Sequence, residues 1–87
     1  MNGNGERFLK DIRSTLEKSE SLEVCFGEKG TYMFCIVKPI NITIKDERRI
    51  VIEGENFWTL DANLDDVEYD ADEEEYRING LYIRPFI

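Results

Sequence analysis

Eighty-seven residues, 41% hydrophobic and 11% aromatic, carry enough apolar matter for one domain with a single modest core, despite 34% charge. A net charge of −8 argues against direct nucleic-acid binding, which needs clustered Lys and Arg to displace counterions, and against anionic membrane surfaces. The chain has no His, so the commonest general base and metal ligand are both missing.

The longest apolar run, Tyr32-Met-Phe-Cys-Ile-Val37, is too short to cross a bilayer, and no apolar export-like segment follows Met1-Asn-Gly-Asn-Gly-Glu6. A cytoplasmic protein is expected, with Cys25 and Cys35 reduced and acting as small interior hydrophobes. With two Cys and no His, a structural zinc site is not expected.

In chain order, residues 5–19 read as an amphipathic helix. Phe8, Leu9, Ile12 and Leu16 form one stripe of a 3.6-residue period, and Asn4 suits the N-cap. So short a helix needs an apolar surface to lie on, and the strand-rich body that follows, 22–60, is the expected one.

Leu22 to Val37 reads as a hairpin closed by a three-residue loop, Glu28-Lys29-Gly30, with Gly at a left-handed position. That loop pairs Phe26 with Tyr32, Val24 with Phe34 and Leu22 with Ile36 on one face. Cys25, Met33, Cys35 and Val37 make the second face apolar too, so the hairpin is expected to be covered on both sides and to form the core. Cys35 lies only diagonal to Cys25 in this register, too far for an easy bridge.

After Pro39, Ile40-Asn-Ile-Thr-Ile-Lys45 alternates as a strand, Asp46 to Arg49 is a charged turn, and Ile50 to Glu53 is the next strand. Gly54-Glu55 suits a two-residue turn with Gly first, leading into Phe57-Trp-Thr-Leu60. Each strand is expected to pair with the last, as a meander. Trp58, Phe57 and Tyr69 read mainly as core aromatics.

Residues 61–75 hold nine of the nineteen acids and no base, so the rest of the chain sits near +1. If this segment is extended, Asp66, Glu68, Asp70, Asp72 and Glu74 share one side, about 6.6 Å apart, and Val67, Tyr69 and Ala71 share the other. The preferred reading is a half-buried strand over 66–70 and a solvated turn over 71–75. In the tail, 76–87, Asn79-Gly80 fits either a type I′ hairpin or a bulge, Pro85 suggests an edge or strand end, and Phe86-Ile87 is expected to pack.

The fold class expected is α+β: an N-terminal amphipathic helix packed on a 5–7-stranded antiparallel meander sheet or a partly closed small β-barrel. The helix-then-strands order resembles the Sm-like RNA-binding barrel in topology alone; the paired motifs of that family are absent, and the acid excess opposes an RNA surface.

No catalytic residue, cofactor or metal site is expected. Asp61-Ala-Asn63-Leu-Asp65 matches the opening ligands of an EF-hand loop, but Asp66 stands where Gly is required and Asp72 where Glu is expected. The function expected is non-catalytic protein–protein binding by a small acidic protein, either monomer or homodimer. The partner would have a basic surface and meet an acidic face made of Asp61, Asp65, Asp66, Glu68, Asp70, Asp72, Glu73, Glu74 and Glu75. Two alternatives stand beside it. One is a nucleic-acid mimic that occupies the groove of a DNA- or RNA-binding protein; the other is a weak calcium-binding module.

Overall fold

The computed structural model describes residues 3–28 and 31–86. Its helix, α1, spans Gly3–Glu17, and its buried stripe is Gly5, Phe8, Ile12 and Thr15, with Leu9 and Leu16 at the margins. Thr15 tolerates full burial because its Oγ1 donates to the Asp11 carbonyl at 2.7 Å. Asn4 lies within the helix rather than capping it. Termination falls to Ser19, at φ 54°, while the amides of Lys18, Ser19 and Glu20 donate to the last turn's carbonyls.

Eight strands follow: β1 Leu22–Glu28, β2 Thr31–Val37, β3 Pro39–Lys45, β4 Arg49–Gly54, β5 Thr59–Asn63, β6 Glu68–Asp70, β7 Glu75–Ile78 and β8 Leu81–Arg84. They form a five-stranded sheet in the order β2-β1-β8-β7-β6 and a three-stranded sheet in the order β3-β4-β5, with every pairing antiparallel. The class is α+β, and the sheet does not close into a barrel. Nor is it one meander. Pro39 opens β3 in the second sheet rather than beside β2, and β8 returns to pair with β1. The tail strand is therefore interior to the sheet and not its edge.

Two turns deserve their chemistry. Asn79 and Gly80 have φ of 50° and 76° between Ile78 and its partner Leu81, which is a type I′ hairpin. Gly54 has φ −121°, so it is extended and is not the first residue of a tight turn. Its reason is space: a Cβ there would collide with Val37 Cγ1 and approach the Lys38 carbonyl and Trp58 Cε3 at 3.3 Å. The left-handed residues of this connection are instead Asn56 and Phe57, at φ 60° and 63°. Gly54→Ala is expected to cost about 1–3 kcal/mol by overpacking, read as a lower urea midpoint with unchanged slope. A midpoint equal to wild type would show that Val37 has room to move.

The hairpin β1–β2 departs most from expectation. Glu28 pairs with Thr31, so the register is one residue off: Leu22 faces Val37, Val24 faces Cys35 and Phe26 faces Met33. The conformation of Lys29 and Gly30 lies outside the described residues. A one-residue shift exchanges faces. It puts Cys35 and Val37 beside Val24 on the core side, and sends Tyr32, Phe34 and Ile36 outward with Cys25. The two cysteines thus stand on opposite faces, and both are free thiols. Among the described side chains of β2 only Val37 is buried, so β1 and the Val37 end of β2, not the whole hairpin, belong to the core.

The core lies between the sheets and under α1. Phe8 and Ile12 of the helix meet Leu22, Val24, Tyr76, Ile78 and Ile83 of the larger sheet, and Ile50, Ile52, Leu60 and Ala62 of the smaller. Leu64 and Val67, from the acidic segment, complete it. Ile40 escapes into solvent because the β3–β4 register slips between Pro39 and Asn41, while Ile42 and Ile44 pack on the core.

Candidate functional site

Alternation through the larger sheet leaves one face covered and the other open. The open face carries Tyr32, Phe34 and Ile36 from β2, Glu23 and Cys25 from β1, Tyr82 and Arg84 from β8, Glu75 and Arg77 from β7, and Glu68 and Asp70 from β6. It has an apolar half at the β2 edge and a charged half toward β6. Tyr32 and Tyr82 join the halves, edge to face at 6.4 Å between ring centres. Arg77 lies 5.4 Å above the Tyr82 ring.

Arg84 organises the charged half. Its guanidinium lies 3.0 Å from Glu73, 3.7 Å from Glu75 and 3.9 Å from Glu23, and its buried Nε makes no hydrogen bond. Arg77 pairs with Asp70 at 2.9 Å. Together Cys25, Tyr32, Asp70, Glu73, Glu75, Arg77, Tyr82 and Arg84 line a shallow concavity of about 550 Å3. Five carboxylates (Glu23, Glu68, Asp70, Glu73, Glu75) face two guanidiniums, so the half is acidic overall.

The nine acids of 61–75 do not act alike. Asp61, on β5 in the other sheet, holds Arg49 in a two-pronged pair at 2.5 and 3.1 Å. Asp65 and Asp66 sit in a 3-10 turn over 64–66, closed by the Asn63 side chain accepting from the Asp65 amide at 2.8 Å. Asp70 turns back on its own loop: one oxygen accepts from the amides of Asp72 and Glu73 at 3.0 and 3.2 Å, and the other takes Arg77. It is a loop-closing residue. Glu73 and Glu75 serve Arg84. Among the described residues no hydrogen bond or ion pair engages the side chains of Asp66, Glu68, Asp72 or Glu74.

A continuous carboxylate row does not form. The segment is extended only over β6, with the 3-10 turn before it and a turn over 71–74 after it. The strand-then-turn reading holds, with the strand shorter at its start. The EF-hand likeness is likewise broken up, because Asp61 pairs with Arg49, Asn63 closes a turn and Leu64 is buried. No three acids or cysteines among the described residues converge as metal ligands.

No family model, no curated protein and no solved structure matches this chain. Its own surface chemistry must speak for it. Cys25 is a poor nucleophile: burial first, then a hydrogen bond to Glu23 at 3.6 Å and that carboxylate's charge, push its thiol above the ordinary range. Among the described residues no helix is long and apolar enough to cross a membrane. Phe57, read as core from the sequence, is fully exposed, whereas Trp58 packs on the core and Tyr69 lies between Tyr76 and the Arg7 guanidinium, 3.8 Å from its ring.

The apolar half of the face was missed for one reason. Hairpin loop length sets register, and between a three-residue loop and the observed Glu28–Thr31 pairing every β2 side chain changes sides. The equal apolarity of both β2 faces left the pattern itself mute on that choice.

Proposed function

We propose that this is a non-catalytic cytoplasmic protein that binds another protein through the open face of its larger sheet. One observation carries the reading: an exposed apolar strip, Tyr32, Phe34 and Ile36, runs continuously into an acidic rim. Interfaces commonly combine an aromatic centre with a charged border, the centre giving affinity and the border the association rate. The partner that fits presents an apolar projection flanked by Lys or Arg. Of the nine acids suggested by sequence, Asp66, Glu68, Asp72 and Glu74 are the ones available for this work, whereas Asp61, Asp70, Glu73 and Glu75 are engaged within the chain and Asp65 sits in the 3-10 turn.

The test is capture of partners on the immobilised protein at low salt, followed by association kinetics. Glu68→Gln with Asp72→Asn and Glu74→Gln is expected to slow association about tenfold at low salt, the difference shrinking as salt rises. Wild type and variant retaining the same proteins at the same rates would remove the acidic rim from the proposal.

A further inference from the structure

We infer that the β2 edge is a self-association surface, pairing antiparallel with β2 of a second copy to build one ten-stranded sheet. Four strands lie at sheet edges, and three of them are blunted. β3 carries Pro39, a register slip and Lys45; β5 carries Asp61; β6 is three residues long and carries Glu68 and Asp70. Such features prevent strands from adding to one another. β2 has none of them: Thr31 to Val37 holds no charge and no Pro, and its seven pairs with β1 run without a slip.

The side chains beside that edge are apolar and exposed. On the open face Tyr32, Phe34 and Ile36 are 59, 69 and 51% exposed, and Met33, on the opposite face, is 61% exposed. Pairing two β2 edges satisfies the outward backbone groups of both and sets the two apolar strips side by side.

Charge selects the occupant. At −8, two copies repel wherever their acids approach; of the two edge strands without acids, β2 and β3, only β2 also lacks a Pro, a register slip and a Lys. A two-fold axis at Phe34 sets Phe34 against Phe34, Tyr32 against Ile36 and Met33 against Cys35, all apolar. The acidic β6–β7 turns then lie at opposite ends of the joint sheet, nine strand spacings or roughly 43 Å apart, many times the Debye length of about 8 Å. Pairing through β6 would instead juxtapose Glu68 and Asp70 of both copies.

Sedimentation velocity between about 1 and 100 μM should show a reversible dimer with Kd at or below about 10 μM, nearly independent of salt. That flat salt response separates it from the acid-dependent partner binding proposed above, and either can fail alone. Phe34→Lys, at an exposed site, should weaken the dimer at least about 100-fold while leaving the circular dichroism unchanged. Should that variant not fold, Ile36→Lys on the same exposed side carries the test. Asp72→Asn with Glu74→Gln should leave the dimer intact.

Directly opposed residues of antiparallel strands lie about 4.5–5.5 Å apart at Cα, within reach of a disulfide. Phe34→Cys, in a Cys25→Ser and Cys35→Ser background, should therefore cross-link on mild oxidation, and Asp72→Cys in that background should not. A wild type that is monomeric at about 100 μM, a dimer indifferent to both Lys variants, or equal cross-linking at positions 34 and 72 would each overturn the inference.

Discussion

Replacing Tyr76 by Ala is expected to remove about 3–5 kcal/mol, a large share of the roughly 5–15 kcal/mol available to a small domain. Tyr76 is 1% exposed at the centre of β7, and its ring meets Phe8 at 5.1 Å and Tyr69 at 4.9 Å. Its hydroxyl donates to Asp11 Oδ2 of α1 at 2.5 Å, so one side chain joins helix and sheet by packing and by a charge-assisted hydrogen bond. Tyr76→Phe keeps the packing and loses the bond, and should cost about 1–2 kcal/mol near neutral pH.

The same residue gives an alkaline signature. Burial, the hydrogen bond to Asp11 and that carboxylate's charge raise the Tyr76 hydroxyl well above its ordinary value of 10. Above that ordinary value the unfolded chain loses this proton while the folded protein keeps it, so the unfolded state binds fewer protons and stability falls as pH rises. The contribution is whole below about pH 10 and is lost as pH climbs toward the raised folded value, by at most about 1.4 kcal/mol per pH unit. In urea titrations from about pH 9 to pH 11, wild type should therefore keep its advantage over Tyr76→Phe up to about pH 10 and begin to lose it above that. An advantage constant across that range would mean that the hydroxyl titrates alike folded and unfolded.

The second large effect lies inside the acidic segment. Leu64→Ala is expected to cost about 3–4 kcal/mol, because Leu64 is fully buried where the 3-10 turn packs on α1. Asp72→Asn with Glu74→Gln, a few residues on, should stay within about 0.5 kcal/mol, since both side chains are exposed and unpaired within the described residues. Denaturant midpoints measured side by side decide the matter. A small effect at Leu64 would mean that the segment contributes charge but not structure.

The paired outcomes show how unevenly the sequence can be read. Helix α1 was legible because its large apolar residues, Phe8, Leu9, Ile12 and Leu16, all fall on one stripe. The β6 strand and its turn were legible because Val67 and Tyr69 alternate with acids, so only one side of the chain can be buried. Asn79-Gly80 was half legible: the residue pair favours positive φ, but its hairpin needed Ile78 and Leu81 to find each other. Which carboxylates remain free was not legible. Asp61 and Glu73 look like Asp72 and Glu74 in sequence, and only distant partners, Arg49 and Arg84, distinguish them.

By itself, the sequence determined the α+β class, the helix stripe, the succession of antiparallel strands and the concentration of charge in 61–75, because these depend on periodicity and on neighbours a few residues apart. The tertiary structure alone decided the β1–β2 register, the insertion of β8 beside β1, and hence the open face. In β2 both faces are apolar, so hydrophobic burial has no preference between registers that differ by one residue. Loop closure, which is local, and the placement of β8 on the other edge of β1, which is long-range, break that tie.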